Sequence, residues 1–127
     1  MSDRRILVIE DNEFLQGLLS LSLKEEGYEV VCADDGQKGF EKAVTEDFDL
    51  IITDIQMPQW NGLESIYGLD LVKNKAKIIV ISGFIDIKTR GELKDYENVI
   101  SVLDKPFDTL ALLEYVREVL KTKASIA

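Results

Sequence analysis

Two hydrophobic rhythms alternate along this chain, and that alternation narrows its fold more than any other feature. Short, nearly uninterrupted β-branched runs cover residues 6–9, 50–53, 78–81 and 99–103, with a weaker one at 28–32. Runs this short and continuous suit strands buried on both faces, the environment of a parallel sheet. Between them, apolar residues recur at helical spacing. Phe14, Leu15, Leu18, Leu19 and Leu23 predict a helix that stops at Lys24-Glu25-Glu26-Gly27, a basic last turn followed by glycine. Phe40, Ala43 and Val44 follow Asp34-Asp35-Gly36, and Leu63, Ile66 and Tyr67 follow Asn61-Gly62. For the last helix, Asp108 is the expected N-cap, and Leu110, Leu113, Val116 and Leu120 form the expected buried stripe. Residues 86–96 make the poorest helix, with Gly91 inside and few apolar positions beyond Ile87 and Leu93, and are expected to be the least stable element.

Strand and helix repeated five times, with short connections, predict an α/β fold: a (βα)5, doubly wound, five-stranded parallel sheet with helices on both faces. The 127 residues suit one domain, with a core over 4–121 and a short polar tail over 122–127. No apolar run approaches the roughly 18 residues of a membrane span, and no secretory signal opens the chain, so a cytoplasmic location is expected. A net charge of −9 argues against nucleic acid and anionic membranes as partners. The chain has no histidine, which excludes histidine general bases, histidine metal ligands and a phosphohistidine donor role. Cys32, the single cysteine, reads as a small buried strand residue.

In parallel α/β sheets, ligands collect beyond the carboxyl ends of the strands. Here those ends are chemically rich. Glu10-Asp11 closes the first strand, Asp54 the third, Ser82 the fourth, and the fifth runs out to Lys105-Pro106. Any one of them alone reads as a solvated terminus; three carboxylates, a hydroxyl and a lysine together point to a site. Two carboxylates about 4 Å apart at an effective dielectric near 20 repel by roughly 4 kcal/mol, so the cluster calls for a cation. Oxygen ligands without histidine or thiolate suit Mg2+, with Mn2+ able to substitute, rather than zinc. A carboxylate can also act as a nucleophile and form an aspartyl phosphate. That transition state needs a metal ion, a fixed ammonium and a hydroxyl around the phosphoryl oxygens, and Lys105 and Ser82 supply the last two.

With these residues in this order, the sequence resembles the receiver domain of two-component response regulators over nearly all of residues 4–121. The motifs are Glu10-Asp11, Asp54 with Pro58 and Gly62 beyond it, Ser82-Gly83, and Lys105-Pro106-Phe107. The resemblance implies a flavodoxin-like three-layer sandwich with strand order 2-1-3-4-5. It implies that Asp54 takes a phosphoryl group from a sensor histidine kinase or a histidine phosphotransfer protein. Mg2+ would be held by Asp11, Asp54 and the backbone carbonyl of Gln56, with Glu10 acting mostly through water. Ser82 and Lys105 would bind phosphoryl oxygens, and the bond before Pro106 would be cis. Residues 86–107 and the last helix would then rearrange to control a downstream protein target, as a monomer or as a phosphorylation-linked dimer through that face.

Three departures from the family pattern stand out. Val102 occupies the switch position three residues before the lysine, where receivers usually carry an aromatic. Glu97-Asn98 stands where Gly-Ala usually precedes the fifth strand. Gln56 and Phe84 lie two residues beyond the phosphoacceptor and the hydroxyl, where receivers tune hydrolysis, and bulky Phe84 is expected to shield the acyl phosphate from water.

Three other readings compete. A pseudo-receiver would keep the fold and bind partners without phosphorylation. A haloacid-dehalogenase-like phosphohydrolase would need a second aspartate two residues after the nucleophile, where this chain has Gln56. A dinucleotide- or flavin-binding domain would need glycines after the first strand, where this chain has Glu-Asp-Asn.

Overall fold

The computed structural model describes residues 4–57, 60–61, 66, 68, 76–83 and 85–126. Strand β1 (Arg5–Ile9) leads to helix α1 (Glu13–Glu25), β2 (Glu29–Ala33), α2 (Gly36–Thr45) and β3 (Leu50–Asp54). Two short strands follow, β4 (Gln56–Met57) and β5 (Trp60–Asn61), then β6 (Lys77–Ser82), helix α3 (Ile87–Leu93), β7 (Val99–Asp104) and helix α4 (Thr109–Ile126). The five long strands form one parallel sheet in the order β2-β1-β3-β6-β7, which is 2-1-3-4-5 when only its own strands are counted. The antiparallel β4–β5 ribbon is a feature the hydrophobic pattern did not announce. The helical pattern at Leu63, Ile66 and Tyr67 falls almost wholly outside the described residues; Ile66 is buried.

The period-two rule of a strand sorts the core into two layers. Ile6, Val8, Leu50, Ile52, Ile79 and Ile81 pack on one face against Leu19 and Leu23 of α1 and Leu112, Val116 and Leu120 of α4. Leu7, Ile9, Ile51, Ile78 and Val80 face the other way, towards Ala43 of α2 and Leu93 of α3. The central strand β3 is buried along its whole length.

Two expected stripes are corrected. Phe14 is 81% exposed, and Leu110 is 72% exposed while Leu112 is buried. At about 100° per residue, Leu110 lies roughly 120° around the helix from Val116, whereas Leu112 sits one turn before it on the same face. Phe14 is likewise displaced around α1 from the line Leu15-Leu19-Leu23 that meets the sheet. The half-buried Cys32 packs against the α1–α4 layer.

Helix α1 ends as its sequence suggests. Gly27 has φ of 98°, its N–H donates to the Lys24 carbonyl, and the Tyr28 N–H reaches back to the Leu23 carbonyl. This pair of bonds requires a left-handed residue at Gly27. Helix α3 has only seven residues; the Asp86 side chain caps it by accepting from the Thr89 N–H at 2.7 Å.

One glycine sets how closely α2 can approach the sheet. A Cβ on Gly39 would lie 2.6 Å from Ile9 Cγ1 and closer still to its Cδ1. Ile9 immediately precedes Glu10, so this contact braces the start of the acidic loop. Gly39→Ala is expected to cost about 1–3 kcal/mol through overpacking. Urea unfolding should show a lower midpoint with an unchanged slope.

Candidate functional site

Parallel pairing puts the carboxyl ends of all five long strands on one edge, and the register decides which side chains meet there. Ile9 is level with Thr53, so Glu10 and Asp54 come one step later on neighbouring strands. Asp54 is level with Ile81, and Ser82 with Asp104. Main-chain bonds carry the alignment beyond the strands, with the Glu10 N–H donating to the Ala33 carbonyl at 3.1 Å and the Lys105 N–H to the Ser82 carbonyl at 2.7 Å. The Lys105–Pro106 peptide is cis.

The result is a buried acidic pair bridged by one ammonium. Glu10 and Asp54 are 0% and 3% exposed. Lys105 Nζ donates to Asp54 Oδ2 at 2.7 Å and to Glu10 Oε1 at 2.9 Å. The second Glu10 oxygen, Oε2, accepts from the Asn12 N–H at 3.0 Å. Asp11 is exposed, and Glu10, Asp11 and Asp54 each offer a carboxylate oxygen within 4.8 Å of the others. Three carboxylates with no nitrogen or sulfur donor form a hard-oxygen set, and the exposed Asp11 leaves one side open to water. That combination fits Mg2+.

The electrostatics follow from burial. Desolvation pushes the Glu10 carboxyl up, and the negative charge of Asp54 adds to this, against the Asn12 N–H and the Lys105 ammonium that favour its ionised form. For Lys105, burial acts downward, but the bonds to Asp54 and Glu10 prevail and hold it above its ordinary value. The ammonium therefore stays charged, while burial disfavours ionisation of the Glu10 carboxyl.

Other expected residues are placed as follows. Ser82 is fully buried at the end of β6. Gln56 opens β4, two residues beyond Asp54. Pro58, Gly62 and Phe84 lie outside the described residues. Val102 sits in β7, half-buried against the α2–α3 layer, and lines a groove of about 400 Å3 with Arg90, Leu93 and Val99. Arg90 pairs with Asp104 at 2.9 Å, tying α3 to the residue before Lys105.

Three features escaped the sequence reading. Gln16 of α1 donates from its amide to the Glu10 carbonyl at 2.9 Å, to Asp34 Oδ1 at 3.1 Å and to the Ala33 carbonyl at 3.4 Å. Its signal was a polar residue three and seven positions before the buried Leu19 and Leu23. Asn12 caps α1 by accepting from the Leu15 N–H, as a short amide ahead of an apolar helix can. Beside Lys105, a cavity of about 340 Å3 is lined by Leu15, Leu18, Pro106, Phe107 and Thr109. The exposed Phe14 and Leu110 belong to the same two helices; only packing reveals that these side chains face outward.

Comparison with known proteins agrees with this architecture. Residues 6–117 match the family model of the response regulator receiver domain. The chain is 35% identical over 117 residues to the response regulator ArlR of Staphylococcus aureus, covering 92% of this chain and 52% of that protein. It thus spans about half the length of the curated relatives it matches. A CheY-like receiver domain protein from Methanospirillum hungatei superposes with a TM-score of 0.91 at 25% identity, covering 99% of this chain and 100% of that one. The response regulator TrrA of Thermotoga maritima, solved in complex with Mg2+ and BeF, superposes with a TM-score of 0.78 at 33% identity, covering 91% and 98%.

Removing the bridging cation should be felt chiefly through Glu10. Lys105→Met is expected to lower stability by about 2–4 kcal/mol at neutral pH, because two buried carboxylates lose their shared partner. A carboxyl whose folded pKa exceeds its unfolded value binds its proton more tightly when folded. Its ionisation therefore opposes folding above that window, and the penalty disappears as pH falls through it. The deficit of Lys105→Met in urea unfolding should accordingly shrink as pH is lowered towards the raised pKa of Glu10. A deficit independent of pH would contradict this account.

Proposed function

The chain belongs to the response regulator receiver domain family, and from that premise we propose that it is a phosphoacceptor switch in which Asp54 receives a phosphoryl group from a phosphohistidine. The observation that carries this reading is the Lys105 ammonium, 2.7 Å from Asp54 Oδ2 at the edge of the sheet, with Glu10 and Asp11 beside it. An oxygen of the Asp54 carboxylate attacks phosphorus; the O–P bond forms as the donor's P–N bond breaks, and the imidazole leaves with that electron pair. Lys105 turns from bridging two carboxylates to holding a phosphoryl oxygen, and the Ser82 hydroxyl approaches another. Asp11, Asp54 and the Gln56 carbonyl, with Glu10 through water, would hold Mg2+, which would supply the positive charge that lets phosphoryl oxygens approach three carboxylates. Gln56 has no proton to exchange as a general acid or base, so a phosphohydrolase gains no support.

Receiver domains are regulatory, and on this reading the chain catalyses only its own phosphorylation and a slow loss of the phosphoryl group. Phosphorylation would be read out through α3, β7 and α4. The Arg90–Asp104 pair links α3 to the residue beside Lys105 and offers a path for that change. The upstream partner is a histidine kinase or a phosphotransfer protein. Leu15, Leu18, Pro106 and Phe107 line an apolar cavity beside Lys105, and the exposed Phe14, one helical turn before Leu18, would extend it as a landing area for that partner.

Incubation with Mg2+ and a small acyl phosphate should give a phosphoryl adduct mapped by mass spectrometry to Asp54 and absent from Asp54→Ala. An adduct elsewhere, or none with either a small donor or a competent kinase, would leave only a partner-binding module. Mg2+ alone should stabilise the folded chain, by about 2.7 kcal/mol at a hundred times its Kd. Phe14→Asp should slow transfer from a phosphohistidine protein at least about tenfold, a loss of roughly 1.4 kcal/mol, while leaving reaction with acyl phosphate unchanged. Equal slowing with both donors would remove the proposed landing area.

A further inference from the structure

We propose that Gln16 is a positioning residue of the acidic edge, setting through the backbone where Asp11 presents its carboxylate to a divalent cation. The inference rests on the Mg2+-dependent reading of the site. It begins with Asp11, which is exposed and, among the described residues, is held by no side-chain hydrogen bond or ion pair. The backbone alone therefore places its Cβ, and with it the range of positions its carboxylate can reach. The peptide joining Glu10 to Asp11 is planar, so the direction of the Glu10 carbonyl fixes the N–H and the Cα of Asp11.

That carbonyl is what the Gln16 amide holds, at 2.9 Å. An amide nitrogen carries only two hydrogens. The nearer acceptors are the Glu10 carbonyl and Asp34 Oδ1 at 3.1 Å, and the Ala33 carbonyl at 3.4 Å takes a weaker share. Gln16 thus joins the peptide before Asp11 to the end of β2, from a helix anchored by the buried Leu19 and Leu23. The opposite side of the same turn is held by the Asn12 N–H on Glu10 Oε2 and by the Glu10 N–H on the Ala33 carbonyl. With the Gln16 amide removed, the turn keeps its main-chain bonds at Glu10 and Asn12, but the Glu10 carbonyl loses the hydrogen bond that sets the tilt of the peptide to Asp11.

Groups that orient metal ligands commonly change affinity about 10–100-fold when mutated, without touching the ion. Gln16→Met keeps the length of the side chain and removes its donors. By calorimetric titration without any phosphoryl donor, its Mg2+ Kd is expected to rise at least about tenfold over that of the parent chain. Phosphorylation by an acyl phosphate should be slow at low Mg2+ and recover at saturating Mg2+. Ile78→Ala serves as the comparison, since Ile78 lies in the core layer on the other face of the sheet, near the start of β6; it lowers stability through a core cavity and should leave the Kd unchanged. Gln16→Asn keeps the amide but is one methylene too short; it should shift the Kd in the same direction and covers a methionine variant that fails to fold. A Gln16→Met or Gln16→Asn chain that is folded and binds Mg2+ like the parent overturns the proposal. A parent chain that binds no Mg2+ overturns the reading of the site itself, and the two failures are distinguishable.

Discussion

One ammonium shared by two buried carboxylates is the constraint on which the rest of the structure turns. Glu10 and Asp54 are taken almost wholly out of water, where their mutual repulsion is a large fraction of the roughly 5–15 kcal/mol that stabilises a domain. Lys105 bridges them from 95 and 51 residues away. It reaches them only because β7 runs parallel beside β6, with the Lys105 N–H fastened to the Ser82 carbonyl. The apolar layers on each side of the sheet hold that register, since a slip of one residue would turn Ile79 and Ile81 to the wrong face. The polar edge thus depends on an aliphatic core that takes no part in its chemistry.

The same arrangement couples the site to its surroundings. Asp104, next in sequence to Lys105, is bound by Arg90 on the seven-residue α3. Beneath that pair lies a groove floored by Leu93, Val99 and Val102, where the family usually has an aromatic near Lys105. At position 102 this chain has a half-buried valine in place of an aromatic ring, with the Arg90–Asp104 ion pair close by. On the opposite side, α1 meets the edge through polar bonds, and its apolar residues Phe14 and Leu21 face outward. One flank of the site is therefore fixed by hydrogen bonds, and the other is held by a single short helix.

Much of this was legible in the chain. The five apolar runs appear as strands, with ends shifted by a residue or two, because a strand buried on both faces leaves no room for polar interruptions. Their alternation with helices dictated a parallel sheet, and the parallel sheet dictated that Glu10, Asp54, Ser82 and Lys105 share an edge. The helix faces were less legible. Leu110 and Phe14 look like core residues in a list of apolar positions, yet the face a helix buries depends on the angle at which it meets the sheet. The β4–β5 ribbon was hidden because a two-residue ladder leaves no periodicity to detect. Gln16 was overlooked because its three acceptors come from segments that sequence alone does not place together.

By itself, then, the amino-acid order determined the five long strands and their parallel pairing, which residues of a strand share a face, and the chemical inventory of the edge. Those properties are local: they follow from the two-residue repeat of a strand and from the residue types at its end. Tertiary structure alone decided that Lys105 binds Glu10 as well as Asp54, that Asp11 faces solvent while its neighbour is buried, and that Gln16 grips the peptide between them. Each of these turns on a few ångströms of relative placement between distant segments, and no local preference encodes such a distance.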